Sequence, residues 1–475
     1  MFTEDLKLVG KALENFYKES VNGDEPVLKQ QQMCHIMREL EFDKYLGKGG
    51  LNGPDLEQFL EKYLRLNTRL HHPRYLGHQC AAPHYSAALG TFINAFTNNV
   101  TSIYEMGPAS VSMEYYLINW MLRKIGWTPA PLCSDEMNKY GHGGGVLVNG
   151  GSLANLTALI LARSKCAPET WTEGSPSELC ILLPSESHYS ISRAVGILGM
   201  GSKAIYALEV DSEGAVIPDR LPETYGRIIE DGKRPMALVA NACSTPAGIY
   251  DPIDEIADFC EQHHLWLHID GAHGASALLS DKFRYRLDGV GRADSLVWDA
   301  HKLLQAPSLC AALLVKDHRN LDGGLFVGEN ASYLFHEKEQ PGFDFINRML
   351  ETTKSGLGEK LFFVLAAIGE EGMASFIDRQ YDLTLAAYDY IQQQPDFACP
   401  VRPQSNILCF EYLDKEASQI EIRKELIAKG DFYLTTTIFK GKRYLRLVFM
   451  SPETTILVVK DLIDSIRTLC EKTEI

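Results

Sequence analysis

The sequence predicts an α/β protein with a mostly parallel central sheet covered by helices on both faces, an N-terminal helical arm and a small C-terminal α+β domain. Three observations carry this prediction. Between Val146 and Val315, apolar runs of strand length alternate with segments of helical period, the pattern of a sheet whose strands are buried on both sides. Several of those runs end on a polar residue, Asp270 and Asp299 among them, and ligands in open α/β sheets gather outside the carboxyl ends of strands. At 475 residues the chain exceeds what one hydrophobic core usually serves, so a large domain with smaller attachments is expected.

Taken in order, residues 6–66 show apolar side chains at helical spacing, first Leu8, Leu13 and Phe16, then Leu56, Phe59, Leu60, Tyr63 and Leu64. Gly47, Gly49, Gly50, Asn52 and Gly53 interrupt the pattern, and Pro54 is placed to open the next helix. Such an arm suits burial against a second subunit or against its own domain. Helices are expected at 85–99 and 112–125. After Lys139-Tyr140-Gly141-His142-Gly143-Gly144-Gly145 come a strand at 146–148, the turn Asn149-Gly150-Gly151-Ser152 and a helix at 153–164. Strands follow at 181–183, 204–206, 237–240, 266–269, 295–298 and 311–315, with a helix after Ser190. Residues 316–354, rich in Gly, Asn, Glu and His, have little period and read as a functional or disordered loop. A helix at 361–388, strands at 407–412 and 444–449 and a helix at 454–469 complete the chain. The expected division is an arm at 1–85, a large α/β domain at 86–355 and a small α+β domain at 356–475.

Composition narrows the function. A hydrophobic fraction of 45% and a charged fraction of 23% are those of an ordinary globular protein, and a net charge of −16 argues against a nucleic-acid backbone as partner. Eleven cysteines without a CxxC pair read as free thiols and give no support to a metal site. No run approaches the roughly 18 apolar residues of a spanning helix, and the first residues carry Glu4 and Asp5 where a signal peptide would be basic. A cytoplasmic protein without membrane partners is expected.

Four strand ends carry the chemistry. Gly150, Gly151 and Ser152 lie between a strand and a helix, where backbone N–H groups favour an anion; a plain glycine cap is the bland alternative. His188 follows the strand at 181–183 and Asp270 ends the strand at 266–269, with the small Gly271 and Ala272 behind it. Lys302 follows the apolar run 295–298 and is trailed by Leu303, Leu304 and Pro307; alone it would read as a snorkelling side chain, but an amine among apolar groups also suits a nucleophile. His142-Gly143-Gly144-Gly145 is not matched by any GxSxG elbow, which excludes a serine esterase. An anion turn, an imidazole, a carboxylate and an amine together describe a site for a phosphorylated aromatic aldehyde.

Across residues 71–452 the chain resembles the fold type I pyridoxal-phosphate enzymes, and among them the group II amino-acid decarboxylases. The most specific segment is Trp298-Asp299-Ala300-His301-Lys302 with Leu303-Leu304, similar to the family's asparagine-proline-histidine-lysine. The resemblance implies that Lys302 holds pyridoxal 5'-phosphate covalently and that His301 lies near its phosphate. It implies too that Gly151 and Ser152 bind the phosphate, with Ser244 and Thr245 lining the pocket. Asp270 would pair with the ring nitrogen, Ala272 would pack on one ring face and His188 would stack on the other. Lys302, His188 and Asp270 would be the catalytic residues. His71-His72-Pro73-Arg74-Tyr75 and Tyr104-Glu105-Met106-Gly107-Pro108 are similar to segments of the glutamate and cysteine-sulfinate branch. Tyr444-Leu445-Arg446-Leu447 resembles the late strand whose arginine grips the substrate carboxylate, a role carried to Arg446.

The resemblance implies decarboxylation of a small acidic amino acid (glutamate, aspartate or cysteine sulfinate) by a homodimer with sites near the subunit interface. The alternatives are an aromatic or diamino-acid decarboxylase, an aminotransferase or aldehyde synthase on the same fold, and a silent scaffold. The chain departs from the family at Asp299 and Ala300, where asparagine and proline are usual, and at His273. After Ala331-Ser332-Tyr333-Leu334-Phe335, where the family's mobile loop carries a tyrosine thought to donate a proton, it holds Phe343 and Phe345.

Overall fold

A computed structural model describes residues 1–132, 141–325, 342–413 and 418–472. Two compact units emerge, one of Met1–Ala82 with Gln380–Ile475 and one of Pro83–Arg379. The arm residues thus group with the C-terminal segment, and the unit boundary falls inside the long helix Gly358–Gln392.

In the Pro83–Arg379 unit, seven strands form one sheet: β1 (Gly144–Val148), β2 (Leu179–Pro184), β3 (Ile205–Leu208), β4 (Arg234–Asn241), β5 (Trp266–Asp270), β6 (Ser295–Asp299) and β7 (Ala311–Val315). Their order is β1-β7-β6-β5-β4-β2-β3. The run from β6 through β3 is parallel, and β7 alone runs against its neighbours β1 and β6. The cause is the length of the connection. Parallel neighbours need a crossover of a dozen or more residues, and only residues 300–310 separate β6 from β7, so the chain turns straight back. Strands β1, β2, β5, β6 and β7 are buried at every residue, which is why they read as unbroken apolar runs. The helix Gly151–Cys166 lies against β7, β6 and β4, and eleven of its sixteen residues are buried. It carries no amphipathic stripe because it lies within the core.

The other unit holds a four-stranded antiparallel sheet in the order β10-β11-β9-β8, built from β8 (Phe397–Ala398), β9 (Ile407–Tyr412), β10 (Thr435–Phe439) and β11 (Lys442–Val448). Its core gathers Leu76, Phe410, Ile422, Leu445, Phe449 and Ile463 around one apolar cluster. The arm is four helices, Phe2–Asn22, Met33–Glu39, Phe42–Lys48 and Gly53–Arg65, the first and last packed on each other. Among the described residues no helix is long and apolar enough to cross a membrane.

Candidate active site

Lys302, Asp270, Gly151 and His188 all lie at or past the carboxyl ends of strands in the seven-stranded sheet, on one edge of it because β1, β6, β5 and β2 point the same way. Asp270 closes β5 opposite Val297 of β6 and Asn241 of β4. Its Oδ2 accepts from Asn155 Nδ2 at 3.0 Å and its Oδ1 from the Ala272 N–H at 3.3 Å. Ala272 is buried, and the adjacent Gly271 has no room for a side chain, since a Cβ there would stand 2.7 Å from Leu296.

The amine of Lys302 departs from the sequence expectation. Apolar residues do follow it and are buried, but the group nearest to Nζ is a carboxylate, Asp299 Oδ2 at 3.1 Å. Asp299 is 2% exposed and also lies 3.6 Å from His301 Nε2, while its Oδ1 has no hydrogen-bond partner among the described residues. Gly151 explains how the acid fits, because a Cβ there would come within 2.8 Å of both Asp299 carboxylate oxygens. The carboxylate therefore stands against the first turn of the helix Gly151–Cys166, which no side chain caps and whose leading N–H groups are open to an anion. Ser152, the second residue of that turn, is exposed. His301 is held by Cys310, whose carbonyl oxygen accepts the His301 backbone N–H at 3.0 Å and lies 2.7 Å from Nδ1.

His188 caps the helix Tyr189–Ile197: its Nδ1 accepts the Ser190 N–H and lies 2.8 Å from Ser190 Oγ. Capping the start of this helix is thus part of its role. Burial depresses its pKa most, with Lys302 and Arg193 acting in the same direction against Asp270 and Asp299, so the ring is neutral near pH 7. Thr245 is half-buried in the loop between β4 and Asp251, a loop drawn in by Asp251, whose two oxygens accept the Asn241 and Val216 N–H groups at 2.6 and 2.9 Å. His273 is buried beside the site strand. Arg446 belongs to the other unit, on the inner strand β11, where it donates to Gln79 Oε1 at 3.1 Å and to the Gly77 carbonyl at 3.4 Å. It is buried, with 6% of its surface exposed.

Phe343 and Phe345 are packing residues. Their rings meet edge to face at 4.8 Å, Tyr115 packs on the first at a 52° tilt, and Lys354 lies over the second. Tyr333 and its neighbours in the loop fall outside the described residues. The residues that sequence reasoning passed over are Asn155, Ser190, His268 and Ser295, all buried and hydrogen-bonded behind Asp270 and His188. Their signal was available: an amide, an imidazole and a hydroxyl inside otherwise apolar runs must find partners.

The donor set matches what a phosphorylated pyridine aldehyde needs: an amine, a carboxylate for the ring nitrogen, a neutral imidazole, a small-residue floor and an uncapped helix N-terminus. The model of the pyridoxal-dependent decarboxylase conserved domain matches residues 55–413, and the chain belongs to that family. It is accordingly an amino-acid carboxy-lyase whose cofactor is pyridoxal phosphate.

Relatives of known activity include the human acidic amino acid decarboxylase GADL1, 30% identical over 82% of this chain and 76% of that protein. Human cysteine sulfinic acid decarboxylase is 30% identical over 76% and 72%, and L-2,4-diaminobutyrate decarboxylase of Acinetobacter baumannii is 27% identical over 88% and 84%. In fold, the crystal structure of mouse CSAD superposes with a TM-score of 0.84 at 24% identity, covering 97% of this chain and 98% of that one.

Proposed function

We propose that the protein decarboxylates a small acidic L-amino acid, glutamate, aspartate or cysteine sulfinate, to the corresponding amine and carbon dioxide. The observation that carries this reading is the convergence of Lys302, Asp270, His188 and the turn at Gly151 and Ser152 on one edge of the sheet, in a chain 30% identical in sequence to an acidic amino acid decarboxylase and to a cysteine sulfinic acid decarboxylase. Lys302 supplies the amine that holds the cofactor. Gly151, Ser152 and His301 receive its phosphate, and Thr245 and Ala272 border its ring. Asp270 keeps a proton on the ring nitrogen, and His188 covers a ring face as a neutral imidazole. When bound, pyridoxal phosphate supplies the electron sink for the Cα–carboxylate bond. Arg446 serves the substrate carboxylate.

The active form is a cytoplasmic homodimer. Support for the dimer comes from the helix Tyr85–Thr97, which exposes Tyr85, Leu89, Phe92, Ile93 and Phe96, spaced as one helical face and too apolar to be left in water. Support for a reducing compartment comes from the described cysteines, which are free thiols.

The test is carbon-dioxide release by the reconstituted protein across the common amino acids and cysteine sulfinate. Turnover of acidic substrates is expected. Release from aromatic or diamino acids only would overturn the substrate class, and transamination without carbon dioxide would overturn the reaction.

A further inference from the structure

Behind the site runs a chain of buried hydrogen bonds whose direction is set at its two ends: the Asp270 carboxylate only accepts, and the Trp266 indole only donates. Asn155 must turn its Nδ2 toward Asp270, which points its Oδ1 at His268 Nε2, 2.9 Å away. The His268 proton therefore sits on Nε2, and Nδ1 accepts from Ser295 Oγ at 2.8 Å. Ser295 Oγ in turn accepts from Trp266 Nε1 at 2.8 Å. At the site end, one N–H of Asn155 Nδ2 goes to Asp270 Oδ2 at 3.0 Å and the other to Ser190 Oγ at 3.1 Å. Ser190 in turn sends its proton to His188 Nδ1 at 2.8 Å, which leaves the His188 proton on Nε2.

Trp266, Ser295, His268, Asn155 and Ser190 are all buried, His268 and Ser295 completely. Burial brings the His268 pKa down to about 4, so its ring stays neutral with a single proton to place. The reverse orientation of Asn155 would set its carbonyl oxygen against the Asp270 carboxylate, two acceptors with no proton between them.

We infer that Asn155 is a positioning residue, the branch point that, held by His268, Ser295 and Trp266, orients the Asp270 carboxylate and reinforces the tautomer of His188. This rests on the reading of Asp270 and His188 as cofactor contacts. Asn155 touches neither substrate nor cofactor in this account. It presents a donor to the acid and, by engaging the Ser190 hydroxyl oxygen, directs that proton to His188 Nδ1 alongside the Ser190 N–H, so one side chain ties the group at the ring nitrogen to the group at the ring face.

The experiment compares Asn155→Leu, which keeps the volume and removes the amide, with Ser295→Ala and Ser295→Thr at the remote end, each loaded with pyridoxal phosphate. The readouts are the visible absorbance of the bound cofactor, its dissociation constant, and the melting temperature of the cofactor-free protein. In Asn155→Leu and Ser295→Ala the absorbance band is expected to shift in position or intensity and the dissociation constant to rise about tenfold, with kcat falling and KM within twofold of wild type. Ser295→Thr, which keeps the hydroxyl, is expected to restore the wild-type spectrum. A wild-type spectrum and affinity in both disrupting variants, whether or not the melting temperature drops, would overturn the inference; so would an equal disturbance in Ser295→Thr and Ser295→Ala. Should Asn155→Leu fail to fold, the Ser295 pair alone decides. If the wild-type protein itself shows no cofactor band, it is the functional reading that has failed, and that outcome is distinguishable from the others.

Discussion

Asp299 sets a buried carboxylate beside the lysine and the helix turn of the site. It pairs with Lys302, leaves one oxygen without a hydrogen-bond partner among the described residues and stands against the helix turn that is proposed to take a phosphate. A carboxylate there competes with an arriving anion for the same N–H dipoles. Asp299→Asn removes that competition, and the dissociation constant for pyridoxal phosphate is expected to fall about fivefold, on the order of 1 kcal/mol. An unchanged or weaker affinity would mean that the acid contributes to binding. The sequence made Lys302, Asp270 and His188 legible because each comes at or shortly after the end of an apolar run. It concealed what touches them: that Asp299 lies within 3.1 Å of the amine depends on how residues 300–302 turn after β6, and no apolar period encodes a turn. Asn155 was harder still, since a single polar residue does not break the helical period of 153–164.

Among the elements, the buried pair of Glu114 and Lys354 ties three pieces together. Glu114 comes from the helix Pro108–Ile125, and its Oε1 accepts both Lys354 Nζ at 2.5 Å and the Leu147 N–H of β1 at 2.9 Å. Lys354 also donates to the Leu147 carbonyl at 2.9 Å. Both side chains are fully buried, and burial pushes the Glu114 pKa up against the pull of Lys354. Removing one partner leaves an uncompensated buried charge. Lys354→Met is expected to cost about 3–5 kcal/mol in urea unfolding, and Lys354→Met with Glu114→Leu to recover most of that loss; a double variant as unstable as the single one would show that the charges themselves are indispensable. The buried strands were read to within a few residues because alternation and burial reinforce each other there. The strand β10 and the helix Gln419–Lys429 were not, because β10 is a half-exposed Thr-rich edge and the helix is dominated by charged side chains. Neither shows an apolar run. The reversal of β7 was equally hidden, being a matter of connection length.

At the scale of the whole molecule, the two units are expected to respond differently to acid. His72, buried in the Met1–Ala82 and Gln380–Ile475 unit, is brought down to about 4 by burial and by Arg74 and Arg69. The unfolded chain takes up its proton near 6.5 and the folded unit does not, so its contribution is present above pH 6.5 and lost as pH falls toward 4. In the Pro83–Arg379 unit His268 behaves in the same way. Asp251, pushed up to about 7 by burial, opposes it, because its contribution is present below pH 4 and lost as pH rises through 7. The two roughly cancel, each on the order of 3 kcal/mol. Hydrogen exchange between pH 6.5 and 4 is expected to show the His72 unit opening first, and His72→Gln to remove that difference; equal acid sensitivity of the two units would refute it. The exposed face of the helix Tyr85–Thr97 makes a further prediction at this scale. Phe92→Asp with Phe96→Asp is expected to halve the sedimenting mass, whereas a wild-type protein that sediments as a monomer would remove the case for a dimer.

The central claim is that Lys302 is the amine that holds pyridoxal phosphate in an acidic amino-acid decarboxylase. Its most direct test is to load the protein with pyridoxal phosphate, fix the bound cofactor with borohydride and map the modified peptide by mass spectrometry. A single modified residue, Lys302, with no label in Lys302→Ala and no carbon-dioxide release by that variant, is the expected result. Stoichiometric label on another lysine, or full turnover by Lys302→Ala, would contradict it.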